Sequence, residues 1–282
     1  AASRKPQAAS RKPQAASRKP QAASRSIVPR MSEQSASAAP ATILAIETAT
    51  EGCSVALETP EGLFEHCEEA PRAHAQRLLP MLDTLLHEAG VTRSQIDALA
   101  YGCGPGGFVG VRLATSVAQG LCTAWQIPAL AVSTLEGLAS GAWRRTGAER
   151  VVAALDARMG QVYWGVFGHS AAGLMQPLAG ERVSDPAALV EATEALPAGE
   201  WFAVGRGFAA YPELTPLPQR PAEPATEPAT EPPADSATQL RRRDTEALPQ
   251  ARDLLPRAQQ LWCSSAGLAP HEALPVYLRS GV

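Results

Sequence analysis

Residues 101–121 read YGCGPGGFVGVRLATSVAQGL, and this stretch decides the fold. Gly102, Gly104, Gly106, Gly107 and Gly110 stand between an apolar strand-like run and a segment whose apolar residues Phe108, Val111, Thr115, Ala118, Cys122 and Trp125 fall three or four apart. The unit is therefore a strand, a glycine loop and a helix. Two readings of the loop stand. Successive glycine amides entering a helix N-terminus favour an anion, with dipole help of about 0.3–1 kcal/mol per charge. Equally, Gly104 and Gly107 permit unusual φ angles and close packing of strand on helix. The letters also satisfy GxGxxG, but the next strand ends near Ser133, too far on for the acid of a dinucleotide fold. A Walker loop is excluded because no Gly-Lys-Ser/Thr follows.

Working outward, ATILAIE (41–47), a TATEG turn and CSVALET (53–59) predict a β-hairpin, with a third strand near Leu63–His66. Residues 72–90 carry Leu78, Met81, Leu82, Leu85, Leu86 and Ala89 at helical spacing and stop at Gly90, with Pro80 expected to start or kink the helix. Thr92 and Gln95 form a capping-box pattern before the strand DALAYG. IPALAVS (127–133) is a further strand, and a helix follows from Ser133 or Thr134. The theme then restarts: VVAALD (151–156), ARMG and QVYWGVF (161–167) repeat strand, turn and strand, with Asp156 ending its strand as Glu47 does. Such a duplication predicts an α/β protein with an actin-like (ASKHA) fold, two related subdomains each with a mixed sheet opened by a β-hairpin and flanked by helices. The N-terminal subdomain is placed at 42–148 and the C-terminal one at 149–282.

Composition bounds the chemistry. Residues 1–30 hold eight Lys or Arg and no acid in an AASRKPQ repeat whose recurring proline excludes a coiled coil. Residues 1–41 are expected to be a disordered basic tail and leader, with a basic arm that touches RNA as the functional alternative. The remaining chain has 17 basic against 28 acidic residues, which argues against a large nucleic-acid face on the folded part. All three lysines, Lys5, Lys12 and Lys19, fall in the tail, so Schiff-base and lysine general-base chemistry are excluded from the body. PAEPATEPATEPPAD (221–235) predicts a Pro-rich, extended, solvated insert over about 212–248. The five cysteines never form CxxC, and no two histidines sit four apart, so neither a zinc site nor HExxH is indicated. GHSAAG (168–173) misses the nucleophile-elbow pattern and reads as a loop. No run of eighteen apolar residues and no signal-peptide hydrophobic region are present, and the expected location is the cytoplasm without membrane attachment. Glu47 and Asp156 could position a metal or water, or could be polar ends of buried strands.

Taken in order, ILAIETATEGCSVAL, PRAHAQRLLPML, YGCGPGGFVGVRLATSVAQGL, PALAVSTLEGLA, ALDARMGQVYW and PVYLR resemble the bacterial TsaB (YeaZ) family over about residues 42–211 and 254–279. The resemblance implies a non-catalytic dimerisation subunit, not itself an enzyme, that is required for N6-threonylcarbamoyladenosine modification at A37 of tRNA. It implies pairing with the catalytic paralogue TsaD, joining of the pair by the ATPase TsaE, homodimerisation when TsaD is absent, and tRNA contact only through the complex. No tightly bound cofactor is expected, with ATP or ADP placed at the complex interface and Gly104, Gly106 and Gly107 as the nucleotide-contacting residues. The metal histidines of TsaD correspond to Thr134 and Leu138, which are not ligands, so no metal or catalytic residue is expected. The usual family loop, close to RGPGSFTGVR, is altered here by Cys103, Gly107 and Val109. The small residues Ala114 and Ala118, with Leu121 and Trp125, join Leu78 and Leu82 of the 72–90 helix as the expected partner interface. The competing class is a nucleotide-dependent small-molecule kinase or metallopeptidase-like enzyme of the same superfamily, with Glu47 or Asp156 as general base.

Overall fold

The run ILAIE forms strand β1 (Ile43–Glu47), buried at all positions, and turns back into β2 (Gly52–Thr59) as an antiparallel pair with Ile46 opposite Val55. A computed structural model of the protein describes residues 41–214 and 238–279; the basic repeat and the centre of the Pro-rich insert lie outside the described residues. Strand β3 (Gly62–Glu69) extends the meander and alternates in exposure, as an edge strand does. On the other side of β1, β4 (Ala98–Gly102) and β5 (Ala129–Val132) add in parallel, giving the order β3-β2-β1-β4-β5. Parallel neighbours need long crossovers, supplied by helices α1 (His74–Ala89) and α2 (Phe108–Trp125).

Alternate residues of these strands go to opposite faces. Leu44, Ile46, Leu99 and Tyr101 pack against α1 and α2, whereas Ile43, Ala45, Ala98 and Ala100 pack against a C-terminal layer. A sheet covered on both faces needs apolar residues at every position, which explains the unbroken apolar runs.

The second sheet repeats the first. Strands β6 (Arg150–Arg158) and β7 (Gln161–His169) form the hairpin, and β8 (Met175–Pro177) and β9 (Arg182–Ser184) pair with β7. After α4 (Pro186–Glu194), β10 (Gly199–Val204) lies parallel to β6, and β11 (Thr238–Asp244), reached through the short α5 (Gly207–Ala210), lies parallel to β10. Each sheet thus places an antiparallel hairpin on one side of its first strand and two parallel strands on the other, as the duplication in the sequence predicts.

Several expectations need correction. Helix α1 starts at His74, and Pro80 sits inside it rather than at its start; its ring faces solvent, where water can satisfy the carbonyl that loses its partner. Strand β6 continues past Asp156 to Arg158. The insert is shorter than 212–248, because Leu214 is buried at the end of a 3-10 turn and 238–244 form β11. The division at residue 148 is a division of the chain and not of the packing. Helix α3 (Thr134–Thr146) puts Leu135, Leu138 and Ala142 on the second sheet, while α6 (Leu255–Cys263) and the turn before it put Leu254, Leu255 and Ala258 on the first. The halves are interlocked by exchanging a helix each.

Candidate functional site

The glycine loop is built for close approach to the first hairpin. A Cβ on Gly106 would lie 2.4 Å from the Ala49 carbonyl oxygen, and one on Gly110 would lie 2.0 Å from that of Thr48. The Gly107 amide donates to Ala49 O at 2.7 Å, and Thr48 Oγ1 donates to Gly110 O at 2.8 Å. Gly104 is buried with φ +102, its carbonyl accepts from Thr134 N at 3.0 Å, and it lies off the cleft. Among the three glycines expected to contact a nucleotide, only Gly106 and Gly107 line the cleft, and the Gly107 amide is already used. The packing reading accounts for Gly104, since its φ is one that a side chain disfavours.

The two hairpin carboxylates are not brought together as a pair of like groups. Glu47 is 0 % exposed; it accepts from Ala49 N at 2.6 Å and from Thr134 Oγ1 at 3.2 Å, and burial pushes its carboxyl up to about 7. Asp156 lines the cleft, accepts from Arg158 N at 2.7 Å and from the Tyr211 hydroxyl at 2.8 Å, and pairs with the Arg158 guanidinium at 2.9 Å. Glu47 therefore fastens the first hairpin to the start of α3, while Asp156 orders the second hairpin turn.

Of the two positions expected to match the TsaD histidines, Thr134 is bonded to Glu47 and Leu138 is in the core of the second half. Among the described residues no group of three His, Cys, Asp or Glu is arranged to hold a metal ion. His169 stacks on Trp143 with ring centroids 4.4 Å apart, a packing role. No helix of the described residues is long and apolar enough to cross a membrane.

The expected partner interface also needs correction. Leu78, Leu82, Ala114 and Ala118 all lie in the core beneath α1 and α2, and Ala118 is 0 % exposed. The small residues bring α2 close to its own sheet, so they are not available to another molecule. Leu121 and Trp125 are half-buried at the margin of that core. Leu113 and Val117 are likewise half-buried and packed against it, so the apolar or small residues that α2 leaves outside the core include Val109, Gly120 and Ala124. Val109, Gly120 and Ala124 are exposed, and Leu79 of α1 is 49 % exposed.

Between the halves lies a cleft of about 1210 Å³, bordered by both hairpin turns, the start of α2 and the C-terminal strand-like strap. The strap is tied to the first half: Val276 N donates to Cys103 O at 2.7 Å, and Gln119 Nε2 donates to Ala273 O at 2.7 Å. Its Arg279 reaches the second hairpin, donating to Ala157 O at 3.1 Å and Gln161 Oε1 at 2.7 Å. Arg72, Arg158 and Tyr277 border this cleft from three distant parts of the chain, and no local motif in the sequence marks them as a group.

A duplicated, hairpin-led α/β fold with a cleft between interlocked halves defines a protein of the actin-like class. A family model described as TsaD, tRNA N6-adenosine threonylcarbamoyltransferase, matches residues 66–248. The tRNA threonylcarbamoyladenosine biosynthesis protein TsaB of Escherichia coli K12 is 42 % identical over 241 residues, covering 85 % of this chain and 95 % of that protein. TsaB of Haemophilus influenzae is 35 % identical over 251 residues, covering 86 % and 94 %. The solved structure of YeaZ from Pseudomonas aeruginosa superposes with a TM-score of 0.70 at 42 % identity, over 84 % of this chain and 100 % of that one. The chain belongs to the TsaB (YeaZ) family, involved in threonylcarbamoyladenosine modification of tRNA and related to TsaD.

Proposed function

We propose that the chain is the non-catalytic scaffold subunit of the tRNA threonylcarbamoyladenosine machinery, pairing with TsaD so that TsaD can modify A37. The observation that carries this reading is the set of apolar and small residues that the two helices leave exposed, Val109, Gly120 and Ala124 of α2 and Leu79 of α1. A solvated helix surface needs no exposed large apolar side chains such as Val109 and Leu79 once its apolar face is buried. The sealing of Glu47 argues against this carboxylate as a general base, because a base must reach the proton it takes. In this reading TsaE joins the pair, ATP or ADP acts at the interface of the complex, tRNA is met only through the complex, and the chain pairs with itself when TsaD is absent. The site of action is the cytoplasm.

Gly120→Arg is the sharpest test. A Cβ at Gly120 meets nothing within 4 Å, so the fold tolerates the side chain, while the cation lands on the exposed side of α2. Co-purification with TsaD should be lost in Gly120→Arg and Leu79→Arg with an unchanged melting temperature, and reconstituted tRNA modification should fall with it. Undiminished pairing in both variants would refute the interface, and ATP turnover by the isolated chain would refute the non-catalytic role.

A further inference from the structure

Four acceptors of the second hairpin turn converge on one guanidinium. Arg279 Nη2 donates to Gln161 Oε1 at 2.7 Å, to Ala157 O at 3.1 Å and to Arg158 O at 3.5 Å, and Nη1 donates to the Met159 sulfur at 3.4 Å. All four lie within residues 157–161, and Arg279 reaches them from the strap, 120 positions beyond Met159.

The backbone of this turn is one that side chains disfavour. Arg158, Met159 and Gly160 have φ +61, +56 and +75, three left-handed residues in succession, of which only the last is a glycine. Such a conformation persists where its surroundings hold it, and it marks a place to look for function. Its visible consequence is that Met159 stands 86 % exposed, the most exposed large apolar side chain among the described residues. Met81 and Met175 are 8 % and 2 % exposed and lie in the cores. A thioether in water contributes little packing, and it is the weakest of the four acceptors around Arg279. What distinguishes an accessible thioether is its reaction with peroxides.

The strap that carries Arg279 is held by single bonds rather than by burial. Val276 N donates to Cys103 O, the Tyr101 hydroxyl donates to Leu274 O at 3.2 Å, and Arg112 Nε donates to the Tyr277 hydroxyl at 2.7 Å. The side chains of Leu274, Val276 and Tyr277 are all exposed. A segment with so little buried apolar surface opens locally at small cost, so one stronger or weaker bond changes how often it opens.

We propose that Met159 is a reversible oxidation site, at which a hydroperoxide converts the thioether to the sulfoxide and Arg279 holds the new oxygen, fastening the strap to the second hairpin turn. With hydrogen peroxide the sulfur lone pair attacks one peroxide oxygen, a sulfur–oxygen bond forms and the oxygen–oxygen bond breaks. The departing hydroxide takes the proton of the transferred oxygen and leaves as water; sulfur loses the two electrons that the peroxide gains. The sulfoxide oxygen is a strong acceptor, and a guanidinium donor strengthens the bond by its charge. Methionine sulfoxide reductases with a thiol reductant restore the thioether. The inference does not depend on pairing with TsaD.

The test treats the full chain with hydrogen peroxide and follows it by peptide mass spectrometry and by amide hydrogen exchange over residues 274–279. Met159 should gain one oxygen at least about tenfold faster than Met81 or Met175. Exchange of the strap should slow by about three- to tenfold, and sulfoxide reductase should reverse both changes. In Met159→Leu, which keeps the exposed thiols of Cys67 and Cys263, peroxide should leave strap exchange unchanged. In Arg279→Gln, Met159 should still oxidise but the strap should not slow. The proposal is overturned if the core methionines oxidise as fast as Met159, if the sulfoxide leaves strap exchange unchanged or faster, or if either variant slows as the parent does.

Discussion

The two hairpins that open the two sheets carry a carboxylate at matching places, and the surroundings of the two carboxylates are opposite. At the first hairpin, Glu47 is enclosed, and the glycine loop lies so close over the turn that Gly106 and Gly110 have no room for a Cβ. At the second, Asp156 faces the cleft, Met159 is 86 % exposed, and a Cβ on Gly160 would meet nothing within 4 Å. Duplication supplied the same strand pairing twice, and the neighbours packed on each turn set its use. A helix docks on the first turn and makes it an anchor for α3 through Thr134, whereas the second turn is left to face the cleft and to receive Arg279 from the strap.

The largest expected effect breaks the enclosure of the first turn. Gly110→Ala sets a Cβ against the Thr48 backbone oxygen, and backbone on both sides leaves no flexible side chain to give way. We expect a loss of more than about 3 kcal/mol in urea unfolding. Gly160→Ala at the second turn meets only the strain of φ +75, about 1 kcal/mol. Equal losses at the two turns would show that the enclosure contributes nothing particular.

How much of this contrast can be read from sequence depends on the kind of signal. Strands β1, β2, β4 and β6 are legible because burial on both faces demands continuous apolar runs, and the end of α1 is legible because Gly90 takes φ +63 there. Ser133 starts α3 as expected, its hydroxyl accepting from the amides of Leu135 and Glu136. Strand β11 is not legible, because TQLRRRD has no apolar alternation and its place is set by backbone pairing to β10. The burial of Ala114 and Ala118 is not legible for a different reason: apolar and small residues occur all round α2, and periodicity gives their spacing without saying which of them meet the sheet. The bond from Arg112 to Tyr277 joins residues 165 positions apart, which only the path of the strap brings together.

A second prediction probes the enclosed carboxylate itself. The folded protein holds Glu47 up at about 7, while the unfolded chain ionises near the ordinary 4.5. Below 4.5 both states are protonated. Between 4.5 and about 7 the folded state binds more protons, so this group's contribution to stability falls as pH rises and stays low above 7. The full difference amounts to up to about 3 kcal/mol. Glu47→Gln keeps an oxygen for the Ala49 amide and adds a donor toward Thr134 Oγ1, so it should remove this decline and be more stable than the parent at pH 8, with little difference at pH 4.5. Parallel stability curves for parent and variant across that range would contradict the assignment.

The smallest effect belongs to the open carboxylate. Asp156→Asn keeps an oxygen for the Arg158 amide and the Tyr211 hydroxyl but gives up the ionic contact to an Arg158 side chain that is largely in water. Solvent-exposed pairs contribute about 0–1 kcal/mol, so Asp156→Asn should change unfolding stability by less than about 1 kcal/mol and lose even that difference in high salt. Asp156 also shares the cleft with Arg158, and removing its charge frees that guanidinium from one of its two carboxylates, the other being Glu51. A variant that unfolded like Gly110→Ala would show the second turn to be as enclosed as the first, and the contrast between the hairpins would fail.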